Sequence, residues 1–196
     1  MHLVFDILTG IGVAAAVGIR PFLAALVVGI LAAADVQIHF NGTTYSFLQR
    51  WPFLLALFVL ALFATLLERR LGRERDFRSP EVITLAVAAA ALGALLFAGS
   101  LARGHYEAWP GWIAGVLCAT AGLLATRPLF ARVRARLDAE AASALPLYVE
   151  AAAVVLAALS VVAPPIGLIG LLLLGWLWLA GRRREGQKYA GLRILR

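Results

Sequence analysis

The chain has 196 residues, of which 62% are hydrophobic and only 15% charged. A soluble domain carries roughly 45–50% apolar and about 25% charged residues, and a chain this short keeps too much surface wet to hide the excess. Lipid as solvent resolves the conflict, so composition excludes an ordinary water-soluble enzyme. A net charge of +7, with no basic stretch interleaved with aromatics, reads as loops facing an anionic leaflet rather than as a nucleic-acid surface.

Taken in chain order, the first element is an apolar run, Leu3–Ile19. It has no basic n-region, and Asp6 stands early, which argues against a cleaved signal peptide. A second run, Phe22–Val36, follows Arg20-Pro21. Proline lacks the backbone donor and pushes the preceding residue out of helical geometry, so the helix breaks at Gly18-Ile19-Arg20-Pro21. Two layouts follow: a hairpin of two short helices, or one long broken helix that crosses once. The count of spans is then seven or six. Asn41-Gly42-Thr43 fits a glycosylation acceptor by pattern, but Asn-Gly is more simply a turn.

Trp51–Leu67 is short but wholly apolar, with Trp51 suited to an interface. Val82–Ala102, Trp109–Thr126, Ala144–Ala163 and Pro164–Gly181 each approach the roughly 20 residues that a spanning helix needs. No strand-period alternation occurs. The expected fold is an all-α membrane bundle of six to seven transmembrane helices. It forms one domain over residues 1–181, with candidate repeat halves 1–102 and 109–181, followed by a basic tail, 182–196.

Orientation follows from arginine placement. Arg69, Arg70, Arg73, Arg75 and Arg78 follow one helix, and Arg127, Arg132, Arg134 and Arg136 another. The tail carries Arg182, Arg183, Arg184, Lys188, Arg193 and Arg196. The alternate loops hold far fewer, and an even number of spans separates the basic segments. Lys and Arg excess marks the cytoplasmic side, so a multi-pass protein of the cell inner membrane with a cytoplasmic C-terminus is expected. Its expected partners are membrane lipids, with anionic headgroups on that side.

Two segments echo each other. A small-residue helix ends in Arg20-Pro21-Phe22-Leu23, and a second ends in Arg127-Pro128-Leu129-Phe130. Each precedes a Pro-started helix with one acid: Trp51-Pro52 leads to Glu68, and Leu145-Pro146 to Glu150. Transporters are often built from such repeats, with sites on broken helices. An ionisable group in hydrocarbon costs several kcal/mol, so it normally faces a partner, a cavity or a function. Arg20, Arg127, Glu68 and Glu150 therefore form the candidate binding set, with Asp6 a weaker fifth. The expected arrangement is two Arg–Glu pairs, Arg127 with Glu150 among them, whose guanidinium forks grip a phosphate or carboxylate. The bland reading is arginine snorkelling to headgroups.

Gly111 and Gly115 form a small-xxx-small pair read as intramolecular packing, and Cys118 is read as a packing residue. His2, His39 and His105 are dispersed. No phosphate loop, metal cluster or nucleophile elbow is present in the sequence, so no cofactor is expected and any transport is passive or ion-coupled. Two other readings stand beside transport: a membrane-embedded structural or partner protein, and a lipid-modifying enzyme using an acid such as Glu150.

The run Gly18-Ile19-Arg20-Pro21-Phe22-Leu23 resembles an uncharacterised bacterial family of small multi-pass membrane proteins. Members share a Gly-x-Arg then Phe-Leu run, a Trp-Pro-started helix ending in Glu like Trp51-Pro52 through Glu68, and a later Arg-Pro like Arg127-Pro128. They usually carry Pro and Asp after the Glu, where this chain has an Arg-rich loop. The resemblance spans about two thirds of the chain and implies a fold rather than an activity.

Overall fold

A computed structural model describes residues 2–70, 80–134 and 136–190. Arg73, Arg75 and Arg78 of the expected basic loop, and Arg193 and Arg196 of the tail, lie outside the described residues. Those described form seven α-helices and one short 3-10 turn, with no strand among them. The helices are α1 (His2–Ile19), α2 (Pro21–Ala33), α3 (Trp51–Arg70), α4 (Pro80–Arg103), α5 (Trp109–Arg134), α6 (Ala139–Val162) and α7 (Pro164–Ala190). Val82–Arg103, Trp109–Arg134 and Ala144–Val162 are long and apolar enough to cross a membrane. The apolar parts of α1, α2, α3 and α7 are shorter.

The exposed surface is the one that lipid demands. Leu55, Phe58, Val59, Leu62 and Phe63 on α3, and Leu172, Leu173 and Trp176 on α7, all stand outward. In water such a surface would aggregate; in hydrocarbon it is solvated. This is an α-helical membrane protein.

Small residues organise the interior around α1. Ala14, Ala15, Ala16 and Val17 are fully buried or nearly so, and α1 packs against α2, α4, α5, α6 and α7. Gly12 meets Gly167 and Ser160, Gly122 meets the Ala15 carbonyl, and Gly18 meets the Ala119 carbonyl. A methyl group at any of these would collide with backbone. Gly111 and Gly115 face Ala98 and Ala94 of α4, so that pair packs within the chain, as its spacing led us to expect. On α7, Gly167 lies at Ser160 and Gly170 at Leu156, so α7 folds straight back along α6.

The break at Arg20-Pro21 is real, and it reverses the chain. Arg20 is extended (φ −143°, ψ 95°) and Pro21 opens α2 at its first position. The Arg20 N–H still donates to Ala16, and the Arg20 carbonyl accepts from Ala24, so one residue forms the whole tip. Arg103, at the end of α4, reaches both Asp6 near the start of α1 and the Gln37 carbonyl beyond α2. The two outer ends of α1 and α2 therefore lie together. α1 and α2 therefore run antiparallel, as the hairpin layout requires.

Three boundaries differ from the sequence expectation. α5 continues through Pro128 to Arg134 instead of stopping at Thr126. Side chains support the backbone there: the Thr126 hydroxyl donates to the Gly122 carbonyl, and Arg132 Nε donates to the Pro128 carbonyl at 3.0 Å. These bonds flank the proline, whose missing donor leaves the Leu124 carbonyl one helical bond short. α6 begins at Ala139 rather than Ala144, because Asp138 caps it by accepting from the Ala141 N–H at 3.0 Å. α7 runs to Ala190, so the first part of the basic tail is helical. The Pro-started helix expected at Leu145-Pro146 is thus absent, and Pro146 lies inside α6.

Candidate functional site: two ion pairs along the central helix

The first pair sits at the hairpin tip. Helical rise puts Arg20 about 20 Å along the bundle from Asp6. Arg20 Nη2 lies 3.7 Å from Glu150 Oε1, with side-chain exposures of 16% and 20%. Glu150 lies about three turns inside α6, counted from Ala139. The sequence expectation put it one turn from the helix end; the earlier start of α6 moves it inward. Its neighbour Val149 is buried, while Leu147 and Tyr148 face outward. The pair is therefore enclosed by protein on most sides yet retains some access.

The remaining candidates stand on other helices. Arg127 is half-buried on α5 and has a partner of its own. Glu68 is in the last turn of α3, a helix that packs chiefly on α2 and the 3-10 turn Ser46–Gln49; its side chain lies outside the described residues. The structure brings Glu150 to Arg20.

The second pair was not singled out from the sequence. Asp6 is 2% exposed, and Arg103 Nη2 bonds its Oδ1 while Nη1 bonds the Gln37 carbonyl. Ser100 Oγ also donates to the Asp6 carbonyl at 3.2 Å. The available signal was an acid within an apolar run. Asp6 is a fifth candidate on that signal, and the sequence carries nothing that joins it to Arg103.

The same end of the bundle is covered by the segment after α2. Ile38, Phe40 and Leu48 are almost wholly buried, and the Phe40 ring lies against Gly99 of α4. Gln49 Oε1 accepts from the Phe40 N–H at 2.8 Å. Asn41-Gly42 makes a turn, Gly42 having φ 77°. Asp35, Gln37 and His105 all take left-handed backbone near 57°, which non-glycine residues rarely adopt without surrounding support. All three flank the Arg103 clasp. Trp112 Nε1 donates to the Tyr45 hydroxyl at 3.0 Å, and Trp51 and Trp109, which open their helices, are strongly exposed. This is the aromatic rim expected where bilayer meets water.

The opposite end is built differently. α1 and α2 stop at the level of Arg20, whereas α4 through α7 continue past it. On that stretch Ile83 and Val87 of α4 and Leu124 of α5 are exposed. Among the described residues, the segment after α2 covers the Arg103 end, and α4 through α7 extend beyond Arg20 at the other.

The family model described as a domain of unknown function (DUF4126) matches residues 7–184. No curated protein and no solved structure matches the chain.

Proposed function

We propose, for a chain that belongs to this family of unknown function, that it carries a small anion or an anionic headgroup across the membrane. The ligand would bear a phosphate or carboxylate. The observation that supports this reading is the Arg20–Glu150 pair at the tip of a hairpin inside the bundle. An arginine held there presents a planar fork suited to such oxyanions. Broken helices with charged tips are a recurring way to place a site within the membrane.

In this reading the two ion pairs are latches on one central helix. Arg103 with Asp6 closes one end, and the space beyond Arg20 admits ligand from the other. Positive-inside placement makes the open end cytoplasmic and the Arg103 end external, in the cell inner membrane. The N-terminus is then external and the C-terminus cytoplasmic. The relation between the repeat halves is weaker than the sequence echo: Arg20-Pro21 reverses the chain, whereas Arg127-Pro128 lies inside one continuous helix.

A second reading, a membrane scaffold in which the charges merely neutralise each other, is favoured by how completely Arg103 is engaged. Reconstituted vesicles separate the two. Uptake of radiolabelled inorganic phosphate tests a soluble anion, and dithionite bleaching of fluorescent phosphatidylglycerol tests a headgroup. One of these should move, Arg20→Gln should cut the rate at least about tenfold, the scale of one lost charged hydrogen bond, and Arg20→Lys should retain part of it. Protein-free rates in both arms would sink the transport reading.

A further inference from the structure

The apolar run of α5 ends at Thr126 and that of α7 at Gly181, yet both helices continue, to Arg134 and Ala190. The two pack against each other, and both run from the Arg103 end toward the other. α1 serves as their common ruler. Gly122 of α5 meets Ala15, and Gly167 of α7 meets Gly12. Arg134 follows Gly122 by twelve residues, and Arg182 follows Gly167 by fifteen. At a rise of about 1.5 Å per residue, both stand about 10 Å beyond Arg20. Two neighbouring helices, with axes about 8–10 Å apart, thus bring an arginine to one level.

The chain does not answer the charge it gathers there. Among the described residues, Arg134 and Arg136 enter no ion pair. The nearest acid in sequence, Asp138, accepts from the Ala141 N–H. On α7, Arg182, Arg183, Arg184 and Lys188 share the last turns with one acid, Glu185. Apolar side chains are mixed in: Val133 and Leu137 are exposed beside these arginines, and Trp176 is exposed six residues before Arg182. Cations next to exposed apolar groups suit the boundary between acyl chains and headgroups. An acidic protein segment or a nucleic acid would pair the cations and leave the apolar groups wet.

We infer that the ends of α5 and α7 form a binding site for a lipid whose headgroup carries two phosphates. One phosphate is met by Arg134 and Arg136, the other by the basic last turns of α7. A guanidinium fork matches phosphate geometry, and a basic surface between neighbouring membrane helices suits such headgroups. A headgroup with one phosphate can engage one helix end. Two phosphates on a short linker engage both, and the second contact is made without immobilising a second molecule. The site does not depend on the anion-carrier reading, because it lies beyond Arg20 and uses neither Arg20 nor Glu150.

The test uses the delipidated full chain in neutral detergent. It is titrated with tetraoleoyl cardiolipin, which has two phosphates, with dioleoyl phosphatidylglycerol, which has one, and with dioleoyl phosphatidylcholine, and binding is read by native mass spectrometry. The first cardiolipin should bind at least about tenfold more tightly than phosphatidylglycerol, the scale of one further charged hydrogen bond, and phosphatidylcholine most weakly. Arg134→Gln and Arg182→Gln should each bring cardiolipin down to the phosphatidylglycerol level, while Arg134→Lys should keep part of the preference. Arg50→Gln removes the same charge from an exposed position at the opposite end and should change nothing.

Equal affinity of wild type for cardiolipin and phosphatidylglycerol overturns the inference. So does a loss in Arg50→Gln as large as that in Arg134→Gln, which marks a generic effect of charge. Displacement of cardiolipin by inorganic pyrophosphate at equal concentration assigns the site to a free anion and overturns it as well. The decisive comparison is between lipids on wild type, so a variant that fails to fold does not protect the idea.

Discussion

Replacing Arg103 by Ala removes the cation that, among the described residues, bonds a carboxylate that is 2% exposed. It also takes the donor from the Gln37 carbonyl. Stripping one partner from a buried ion pair typically costs about 3–5 kcal/mol, since the remaining charge stays desolvated. For a chain of this length each kcal/mol lowers Tm by about 2–4 °C, so the variant should melt roughly 6–20 °C lower. The single cysteine supplies the assay. Cys118 is half-buried on α5, so a fluorogenic thiol dye reports unfolding in detergent without added labels. Asp6→Leu with Arg103→Met removes both charges and leaves apolar bulk, and should recover more than half of the loss. The coupling in the double-mutant cycle should exceed about 1 kcal/mol. If Arg103→Ala melts within about 2 °C of the parent, or the double variant falls by the sum of the singles, the clasp is not holding the hairpin to α4.

Gly122→Ala should destabilise by about 1–3 kcal/mol, because its new methyl lands on the Ala15 carbonyl. Gly175→Ala, with nothing within 4 Å of its Cβ, should be neutral or raise stability by up to about 1 kcal/mol; the same dye melt compares them. Pro128→Ala should raise Tm, since it returns a hydrogen-bond donor to the interior of α5 for a residue costing about 3 kcal/mol there, and a fall would show that the proline shapes a needed bend. Reporter fusions to the two termini should report opposite sides of the membrane, and same-side signals would exclude a hairpin at Arg20-Pro21.

Helices and medium were legible because they depend on local composition. Apolar runs near the bilayer length, Arg-rich ends and interfacial tryptophans specify a helical bundle without any tertiary knowledge. The membership of the binding set was partly legible for the same reason: an arginine and a glutamate inside apolar runs are costly wherever they are placed. Their pairing was not, because it depends on depth, and depth depends on where each helix begins. Asp138 starts α6 early by capping the Ala141 N–H, which carries Glu150 inward to the level of the hairpin tip.

The two Arg-Pro steps carry the same lesson further. Their local chemistry is the same, yet one ends a helix and the other does not. At Pro128 the helix continues, with Thr126 and Arg132 bonding the Gly122 and Pro128 carbonyls on either side of the break in the ladder. At Pro21 the preceding turn holds Gly18 against the Ala119 carbonyl, and past the tip Phe40 and Leu48 are buried over the far end of the bundle, with Gln37 tied to Arg103. The contacts of Gln37, Phe40 and Leu48 draw the chain back toward its start, and none of those three lies within ten residues of the proline. Local rules therefore mark where a chain can reverse, and distant packing decides whether it does. Arg20 is left at the tip of the hairpin by that decision, and the same decision sets it beside Glu150. The functional reading consequently rests on a reversal driven by contacts about 20 Å away. Loosening the Arg103 clasp should therefore disturb the Arg20 site as well as the fold's stability.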